Sequence, residues 1–564
     1  MLQLEHRTVQ AVLERSTKFY PQRTALAYAD GNPINYAGLK NEVDRLSAFL
    51  QDQGVGEGDR VAIVGENSPN WGIAFFTVTT MGAVAVPILP DFHTSEIHHI
   101  LRHSGSKAVF VSERFFHKIE DFGLDDFSSV ILLDDFSIIG ADTSKARLKK
   151  LLADGGKELK KIKNTVLRIA GILPVQVNED ALASIVYTSG TTGHSKGVML
   201  SHKNLVSDAI ATAEVVSVSE DDRMLSILPL AHVYECTLGL ILPIMKGAAI
   251  YYLRKPPTAA VMVPALAAVK PTIMLSVPLI IEKMYKSRIA PEIGKKKLVR
   301  LMYRFPFLRK RINKMAGRKL LAIFGGAMKI FCIGGADLSS EVEKFLREAD
   351  FPYAIGYGLT ETASLVAGTN EKRTRFRSTG PAIPGVEIKI DHADPKTGEG
   401  EILVRGATIM QGYYNEPERT GEVLSPDGWL KTGDLGIIGA DNYLYINGRL
   451  KNVIVGPSGE NIYPEAIESI VNRSDIVLES LVFQDQGSLA ARIHLDYEKL
   501  DIEFTEKHLS ETQIQEHIAA LLEDVRKQVN EQVSTFSRIG KVIEQTEPFE
   551  KTPTQKIKRY LYTN

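Results

Sequence analysis

Residues 188–197 combine hydroxyl groups, glycines and one lysine between two apolar runs. Their sequence is Thr188-Ser189-Gly190-Thr191-Thr192-Gly193-His194-Ser195-Lys196-Gly197. Glycines let backbone N–H groups approach a ligand closely, and the hydroxyl groups and the lysine ammonium add further donors. Phosphate oxygens are the acceptors that such a set of donors suits. The residue types therefore predict a loop that binds the phosphates of a nucleoside triphosphate.

Two other interpretations of this phosphate loop are less favourable. In a Walker P-loop the second glycine would fall at Ser195, and a serine or threonine would stand at Gly197. Nor does a helix begin at the loop, because the apolar residues 198–200 precede the first N-cap candidate, Ser201. A flexible turn would need neither the lysine nor so many donors. We therefore expect a phosphate loop between two strands, followed by a helix through 205–213.

The composition of the chain limits what it can be. With 564 residues it is too long for one hydrophobic core, so roughly two to four compact units are expected. The 67 Lys and Arg residues nearly balance the 68 Asp and Glu residues, which argues against nucleic-acid binding. Cys236 and Cys332 lie far apart in apolar surroundings, which favours two core residues in a reducing compartment.

The sequence gives no sign of export or of membrane insertion. The N-terminus lacks the basic region and apolar run of a signal peptide. The most apolar stretch, 237–253, contains Pro243 and Lys246 and is shorter than the roughly 20 residues that cross a bilayer. We therefore expect a cytoplasmic protein.

The elements that would position the phosphate loop alternate between helix and strand. Apolar residues at helical spacing predict helices, and short β-branched runs predict strands. The predicted helices are 37–50, 71–81 and 97–101, and the predicted strands are 61–64, 83–88, 108–111 and 130–133. Alternation of this kind predicts a mainly parallel sheet covered by helices. A second α/β pattern, 272–390, is followed by a β-rich stretch.

A change of pattern near residue 448 predicts a domain boundary. Asn447-Gly448 is a typical hairpin turn, here between the apolar runs 443–446 and 453–455. We predict a hairpin at that position and place the boundary just after Gly448. The N-terminal region would then be 1–448, with mixed sheets, helices and a β-rich subdomain.

The remaining residues, 449–564, predict a small α+β domain. Pro464 could open a helix, strands are expected near 480 and 493, and an amphipathic helix is expected over 514–529. Residues 449–452 would be the hinge. The predicted fold class is therefore α/β, with a large N-terminal α/β region and a small, mobile α+β C-terminal domain.

Two basic segments interrupt these patterns. Residues 145–168 indicate a surface insertion, and residues 295–319 contain many cations, interleaved leucines and phenylalanines, and no acid. A basic amphipathic segment can lie on an anionic membrane, here its inner face, or it can be a solvated helix on a protein core. A docking patch for an acidic carrier protein would have the same composition, so the sequence leaves the three uses open.

Six further short motifs carry polar groups between apolar runs. They are 228–235, 334–336, 356–362, 428–434, 447–451 and 551–558. Together with the phosphate loop, and in this order, they resemble the adenylate-forming (AMP-binding) superfamily over nearly the whole chain. Within that superfamily, the stretches 228–235 and 277–283 most resemble long-chain fatty-acid–CoA ligases.

The resemblance implies a reaction in two steps. The carboxylate of a fatty acid attacks the α-phosphorus of ATP, with Mg²⁺ as cofactor, to give acyl-AMP and pyrophosphate. CoA then takes the acyl group to give acyl-CoA and AMP. The first attack brings two anions together, so cations and N–H donors must neutralise the developing charge. The alternative is transfer of the acyl group to an acyl carrier protein, and a homodimer is compatible with either.

The resemblance also assigns the residues that hold the phosphates. The β- and γ-phosphates would be held by Thr188, Ser189, Gly190, Thr191, Thr192, Gly193 and Lys196. Glu361 would bind Mg²⁺, a hard cation that takes few carboxylates plus phosphates and water. Thr360 would contact the α-phosphate.

The nucleoside would be held by other motifs. Adenine would stack on Tyr357, which Gly358 follows, beside the backbone of Gly334, Gly335 and Ala336. Without the motif, core packing of Tyr357 would be as good an interpretation. Asp434 would accept both ribose hydroxyls, and Arg449 would support them.

The remaining predicted residues would bind the acid or take part in the rotation of the C-terminal domain. Lys556 would reach the reacting carboxylate and the α-phosphate, although Gln555 stands where the family usually has glycine. His232 would line the acyl-carboxylate end of the tunnel, unless it is a core histidine. The C-terminal domain would rotate about Lys451 to bring a face near Gly459 to the site. The predicted catalytic set is therefore Thr188, Lys196, His232, Glu361 and Lys556.

Overall fold

The computed structural model describes residues 4–123, 126–139, 176–188, 195–294, 297–456, 461–485, 487–507, 510–552 and 556–563. The chain divides into two compact units. The first comprises Met1–Ile388, Val404–Leu430 and Ala440–Leu444. The second comprises Lys389–Leu403, Lys431–Gly439 and Tyr445–Asn564. The functional boundary expected after Gly448 concerns a hinge and stays a prediction.

An eight-stranded sheet in the first unit carries the phosphate-loop strands. Its order is Gly412–Tyr413, Lys196–Ser201, Leu182–Thr188, Val84–Ile88, Arg60–Val64, Ala108–Val111, Ser129–Leu132 and Ile138–Ile139. The central strands are parallel, as the alternating helix–strand pattern predicts, and the pairs at both edges are antiparallel. Mixed sheets with helices confirm the predicted α/β class.

A seven-stranded sheet in the same unit places several of the motifs at one edge. Its order is Tyr353–Ile355, Ile330–Ile333, Ile273–Ser276, Arg223–Ser226, Ala249–Tyr252, Thr24–Tyr28 and Gly31–Asn35. All neighbouring strands are parallel except the last pair. The carboxyl ends of parallel strands meet at one edge, where ligands of α/β proteins bind.

Helices cover these sheets. The α-helices of the first unit are Val9–Phe19, Tyr36–Asp52, Pro69–Thr80, Thr94–Ser104, His202–Val215, Leu242–Lys246, Ala259–Val269, Pro278–Met284, Ala290–Gly294, Lys297–Tyr303, Pro306–Ile323, Ser340–Glu348 and Pro417–Val423. Shorter turns of π-helix (Glu235–Ile241 and Tyr285–Ile289) and 3₁₀-helix (Glu113–Lys118 and Thr360–Thr362) lie between them. Ser201 caps the helix after the phosphate loop, as predicted, and its side chain accepts from the N–H of Asn204.

The apolar stretch 237–253 belongs to the protein core. It forms the end of the π-helical turn, the helix Leu242–Lys246 and the strand Ala249–Tyr252, and most of its side chains are buried. Within the described residues, no helix is both long enough and apolar enough to cross a membrane. Cys236 is buried and Cys332 is half-buried, and neither forms a disulfide.

The second unit contains the helices and strands expected of the small α+β domain, together with additional strands. A four-stranded sheet lies largely within it, in the order Val386–Asp391, Gly400–Gly406, Leu430–Ile438 and Leu444–Arg449. A three-stranded sheet follows, in the order Val477–Asp485, Ser488–Leu495 and Ile539–Glu544, and so does the pair Ile454–Val455 and Asn461–Ile462. Its helices are Pro464–Val471, Tyr497–Lys507 and Glu511–Asn530, with 3₁₀ turns at Leu450–Asn452, Thr535–Ser537 and Arg559–Leu561. Val471, Leu495 and Val525 belong to the core between these layers.

The predicted hairpin at Asn447-Gly448 is wrong. Both residues lie inside the strand Leu444–Arg449, and the turn falls earlier, where Asn442 has a φ of 64°. Long-range contacts explain why these residue types occur in a strand. The Asn447 amide donates to the Glu399 carboxylate at 2.8 Å, and a Cβ at Gly448 would lie 3.1 Å from the ring of Tyr463.

Candidate active site

The phosphate loop joins two antiparallel strands, as the sequence predicts. Their register pairs Val186 with Val198 and Thr188 with Lys196. The predicted residues Ser189, Gly190, Thr191, Thr192 and Gly193 lie outside the described residues. The Thr188 hydroxyl is buried and has no hydrogen-bond partner in the described part of the chain. A buried hydroxyl of this kind is suited to a ligand or to the loop itself.

Lys196, Glu361 and Tyr413 meet at the start of the strand Lys196–Ser201. The Lys196 Nζ lies 2.9 Å from the Glu361 Oε1 and 2.5 Å from the Tyr413 hydroxyl. That hydroxyl donates to the same Glu361 oxygen at 2.9 Å. Lys196 and Glu361 are 165 residues apart in the sequence. The fold thus brings together two predicted residues and Tyr413, which the sequence analysis missed.

The charges of this cluster favour an ionised carboxylate. Burial acts to raise the pKa of Glu361, but Lys196 and the hydrogen bonds from Lys196 and Tyr413 outweigh it, so the pKa lies below its ordinary value. Burial and the neighbouring Glu361 raise the pKa of the Tyr413 hydroxyl, which therefore stays a donor. The cluster presents a cation and an anion side by side, which suits a metal–phosphate ligand that carries both charges.

The turn that carries Glu361 has an unusual backbone. Ala363 and Ser364 have φ values of 58° and 135°, in the region that side chains other than glycine rarely adopt. A Cβ at Gly358 would lie 1.5 Å from the Ser364 carbonyl oxygen, so only glycine fits there. The side chain of Asp208 accepts from the N–H of Leu365 at 3.1 Å. Strain held by neighbouring elements in this way is typical of functional turns.

The glycine motifs follow strands of the seven-stranded sheet. Gly334 follows the strand Ile330–Ile333, and Gly335 has a φ of 84°, which glycine adopts readily. The backbone of Tyr357, just after the strand Tyr353–Ile355, exchanges hydrogen bonds with that of Ala367. The predicted adenine residues therefore lie at adjacent strand ends. Gly335 and Ala336 are exposed, and Tyr357 is half-buried.

A second tyrosine at this edge was not predicted. A Cβ at Gly334 would lie 3.3 Å from the ring of Tyr234, whose hydroxyl donates to the Cys332 carbonyl at 3.2 Å. Tyr234 therefore fixes the backbone that precedes the glycine motif. Its place in the motif 228–235 was a sequence signal, but the partner strand could not be known.

His232 lies in the turn after the strand Arg223–Ser226. Its N–H donates to the Pro229 carbonyl at 2.9 Å, and the side chain is half-buried. Glu235, three residues on, is buried, and burial raises the pKa of its carboxyl to about 8. The two residues differ in exposure, so His232 is the one that a ligand at this strand end could reach.

The predicted ribose residues form an ion pair inside the second unit. The Arg449 Nε lies 2.8 Å from the Asp434 Oδ1, and Asp434 is buried while Arg449 is exposed. The strands Leu430–Ile438 and Leu444–Arg449 carry them. The Thr432 hydroxyl accepts from the N–H of Asp434 at 3.1 Å and donates to the carbonyl of Ile402. The carboxylate is thus held on rigid backbone.

Lys556 lies in a short loop of the second unit. Its N–H donates to the Thr552 hydroxyl at 3.2 Å, and its carbonyl accepts from the N–H of Thr552 at 2.8 Å. Ion pairs anchor both sides of this loop: Lys551 with Glu479, and Arg559 with Glu468 at 2.8 Å. Lys556 itself is exposed. The hinge residue Lys451 lies in the 3₁₀ turn Leu450–Asn452, and Gly459 lies outside the described residues.

The donors at the phosphate loop fit Mg²⁺ bound together with phosphates. Among the described residues, no group of three His, Cys, Asp or Glu side chains could hold a metal ion by itself. Mg²⁺ commonly takes one or two carboxylates and completes its shell with phosphate oxygens and water. Glu361 supplies one ionised carboxylate, and Lys196, which it contacts, pairs in register with Thr188 and its buried hydroxyl, so the residues present fit that requirement.

Comparison with known proteins identifies the family. The model of the AMP-binding enzymes matches residues 13–414. The chain therefore belongs to the AMP-binding enzyme family. The matched range contains the phosphate loop, the strand-end motifs and Glu361.

Two curated relatives align over most of their length. The chain is 28% identical to the long-chain-fatty-acid–CoA ligase FadD15 of Mycobacterium bovis, in an alignment that covers 98% of this chain and 95% of that protein. It is 26% identical to the peroxisomal long chain acyl-CoA synthetase 7 of Arabidopsis thaliana, in an alignment that covers 93% of this chain and 79% of that protein.

Solved structures share the fold. An anthranilate CoA ligase bound to anthranoyl-AMP superposes with a TM-score of 0.75 at 22% identity, covering 98% of this chain and 96% of that chain. The o-succinylbenzoate CoA synthetase of Bacillus subtilis, bound to ATP and magnesium, gives a TM-score of 0.73 at 22% identity, with 97% and 98% covered. Together the comparisons support adenylate-forming acyl–CoA ligation as the general class of activity.

Proposed function

We propose that this protein activates a long-chain fatty acid with ATP and transfers the acyl group to CoA. The cluster of Lys196, Glu361 and Tyr413 at the phosphate loop is the observation that carries the activation step. The long-chain substrate rests on the names of the relatives that align over most of their length. The identity of the acid goes beyond what the fold decides, since proteins of the same fold are named for other acids, anthranilate and o-succinylbenzoate.

In the first step the fatty-acid carboxylate attacks the α-phosphorus of ATP, and pyrophosphate leaves. Lys196 and the phosphate loop would hold the β- and γ-phosphates, so that charge on the leaving group is neutralised as it develops. Thr360 and Lys556 would contact the α-phosphate, and Lys556 would also hold the attacking carboxylate. Mg²⁺ bound at Glu361 would supply positive charge to the phosphates.

The nucleoside would be fixed by residues that do not react. Adenine would stack on Tyr357 beside the backbone of Gly334–Ala336, and Asp434 would accept both ribose hydroxyls with support from Arg449. Asp434 suits this role because it is held on rigid backbone next to a cation. His232 would face the carboxylate end of the acyl chain.

In the second step the CoA thiol attacks the acyl carbonyl, and AMP leaves. A domain of 449–564 would rotate about Lys451 relative to 1–448, moving Lys556 away and bringing in a face near Gly459. Gly456 precedes that face and, as a glycine, would give it a pliable backbone. Because different residues would serve the two steps, the two half-reactions can be measured separately.

ATP–pyrophosphate exchange across short- to long-chain acids tests the proposal. We expect exchange that depends on the acid, on Mg²⁺ and on a long acyl chain, followed by acyl-CoA formation when CoA is added. Lys196→Gln should lower the exchange rate by about 10²-fold or more. Lys18→Gln, which changes an exposed lysine of the helix Val9–Phe19, is the matched control.

Three outcomes would revise the proposal at different points. No acid-dependent exchange would overturn the activation step. Exchange with short acids only would overturn the long-chain substrate. Acyl transfer to an acyl carrier protein but not to CoA would replace the acceptor and leave the activation step intact.

A further inference from the structure

One surface of the first unit is both apolar and cationic. The helix Lys297–Tyr303, the helix Pro306–Ile323 and the turn between them expose five large apolar side chains by more than half. They are Leu298 (68%), Leu301 (54%), Phe305 (57%), Phe307 (68%) and Met315 (65%). Single exposed apolar residues are common on proteins, but clusters of them mark interaction sites. We name these residues and the cations among them the apolar–basic surface; its cations are Arg300, Arg304, Lys310, Arg311 and Arg318.

The exposed apolar residues are not needed to hold the segment on the protein. Leu298 and Leu301 lie three residues apart on the helix Lys297–Tyr303 and so face the same side, and Phe305 is the N-cap of the helix that follows. The helix Pro306–Ile323 contacts the protein core through other residues: Asn313, Gly317 and Leu320 are buried. A Cβ at Gly317 would lie 2.5 Å from the Ala349 carbonyl oxygen, so this contact is tight. The solvent-facing apolar side chains are therefore available to a partner.

The cations of the apolar–basic surface are uncompensated. None of its five forms an ion pair with a carboxylate among the described residues. Other cations of the same segment do pair: Arg309 with Glu348, Lys314 with Asp350 and Lys319 with Glu292, at 2.7, 2.7 and 2.9 Å. The residues 295–319 contain no acid, so the surface keeps its positive charge.

A neighbouring helix extends the apolar character of this region. The helix Ala259–Val269 contacts the helix Pro306–Ile323, and its sequence contains only alanine, valine, methionine, proline and leucine. Val263 is 48% exposed, and Leu279 of the next helix is 58% exposed. A surface helix without a single polar side chain is unusual where only water covers it.

We propose that the apolar–basic surface docks on an anionic lipid bilayer. A bilayer meets both features at once, because apolar side chains enter the boundary between headgroups and acyl chains while cations reach lipid phosphates. The long stems of Arg and Lys allow this, since they place the charge away from the apolar part. The docking involves none of the residues proposed for catalysis, and it can be measured without substrate.

Co-sedimentation with vesicles tests the docking. We expect the protein to bind vesicles of phosphatidylglycerol and phosphatidylcholine, and not vesicles of phosphatidylcholine alone. Salt should weaken the binding, because it screens charges on the surface. Each cation near an anionic surface contributes a factor of about five to binding. Replacement of all five cations of the surface by Gln should therefore reduce binding more than about a hundredfold.

Two further variants separate this surface from general charge. Gln at Lys18, Lys372, Arg373, Lys396 and Lys527 removes the same charge from exposed positions elsewhere and should leave binding near that of the wild type. Gln at Leu298, Leu301, Phe305 and Phe307 keeps the charge and removes apolar area, and should reduce binding about tenfold or more. Thermal unfolding of all variants should match the wild type, because the changed residues are exposed.

Several results would overturn the proposal. One is equal loss of binding in the two cation variants, which would show that only net charge matters. Another is unchanged binding after removal of the apolar residues. A third is self-association in the absence of lipid that the apolar variant abolishes, which would make the surface an interface between copies. A fourth is binding to an acyl carrier protein, lost with the five cations, while no vesicle binds.

Discussion

The ion pair of Lys196 and Glu361 is the most consequential contact made by single side chains. Its members are 25 and 16% exposed, so water screens them less than it screens a surface pair. Removal of one partner leaves the other charge partly buried and without compensation. Tyr413 donates to the same carboxylate oxygen and keeps it in place. Substitutions here should therefore affect ligand binding and local stability together.

Glu361→Gln tests the predicted metal ligand. The change keeps the size of the side chain and removes its charge. We expect ATP–pyrophosphate exchange to fall by about 10²–10³-fold and to need more Mg²⁺ for half-maximal rate. Tyr413→Phe is the matched control: it keeps the charge of Glu361 and removes a hydroxyl that donates to Glu361 and accepts from Lys196, two hydrogen bonds worth about 1 kcal/mol each, so it should cost up to about thirtyfold. An unchanged Mg²⁺ requirement in Glu361→Gln would contradict the assignment.

Lys556→Ala separates the two half-reactions. Lys556 is exposed and is held by a backbone exchange with Thr552, so its loss should not affect folding. We expect acyl-AMP formation from acid and ATP to be abolished, while thioester formation from supplied acyl-AMP is spared. Single-turnover assays of each step measure both. Equal loss of the two steps would contradict the proposal that Lys556 acts in adenylation and not in thioester formation.

The elements that carry these residues are anchored by contacts outside the site. The π-helical turn Glu235–Ile241 follows His232, and Glu235 is fully enclosed within it: a Cβ at Gly239 would lie 2.7 Å from the Glu235 carboxyl carbon. The Glu235 Oε2 has no hydrogen-bond partner in the described part of the chain. Turns of π-helix often occur at functional sites. This one places a buried acid at the last position of the motif 228–235.

Glu235→Gln should alter how stability depends on pH. Burial raises the pKa of the Glu235 carboxyl from about 4.5 to about 8 in the folded protein. Between these values the folded chain holds a proton that the unfolded chain releases, so wild-type stability falls as the pH rises. The slope is up to about 1.4 kcal/mol per pH unit. Glutamine resembles the protonated acid and does not titrate, so the variant should not lose this stability as the pH rises.

Thermal unfolding at several pH values checks this expectation. The Tm of Glu235→Gln should exceed that of the wild type by an amount that grows with pH up to about 8 and then stays constant. Glu214→Gln, in the helix His202–Val215, is an exposed control and should follow the wild type. A difference in Tm that does not change with pH would contradict a raised pKa at Glu235.

Arg559→Gln tests the anchoring of the Lys556 loop. Arg559 forms an ion pair with Glu468 and donates to the carbonyl of Val482 at 2.6 Å, so it fixes one side of the loop. We expect the kcat of the adenylation step to fall about tenfold to a hundredfold, with little change in KM for ATP. Arg559→Lys should recover part of the rate. Loss of the second half-reaction to the same extent would indicate a general structural defect.

The elements could be predicted well wherever local signals decide them. The strand Ala108–Val111 and the cap at Ser201 agree with the sequence, because β-branched runs and N-cap residues act locally. The hairpin at Asn447-Gly448 was wrong because the contact of Gly448 with Tyr463 is a long-range one. Tyr413 was missed for the same reason. The positive φ of Ser364 has no sequence signal, since tertiary contacts impose it.

At the scale of the whole molecule, the predicted site residues are divided between the two compact units. The phosphate loop, Glu361 and Tyr357 belong to the first unit, while Asp434, Arg449 and Lys556 belong to the second. The order of the motifs predicted the family from sequence. The sequence did not predict that the chain passes between the two units more than once. Residues 389–403 and 431–439 belong to the second unit, although they precede the expected boundary.

Leu450→Pro tests the hinge. Leu450 is the first residue of the 3₁₀ turn Leu450–Asn452, and Arg449 before it is extended, so proline fits this conformation and fixes its φ. We expect one half-reaction to stay near the wild-type rate and the other to slow by roughly tenfold or more. Leu450→Ala removes the same side chain, leaves the backbone free and should be near wild type in both. Equal rates in both half-reactions for the proline variant would place the hinge elsewhere.

The contact between Lys196 and Glu361 has a consequence for the order in which ligands are accepted. ATP alone would draw Lys196 toward its phosphates and leave a partly buried carboxylate without its counter-charge. A divalent cation alone would compete with Lys196 for Glu361 in the same way. If ATP and the divalent cation bound together, Lys196 would exchange Glu361 for the phosphates, and Glu361 would exchange Lys196 for the cation. Neither side chain would then be left without a counter-charge. Nucleotide and metal should therefore raise each other's affinity, and by linkage the factor is the same in both directions.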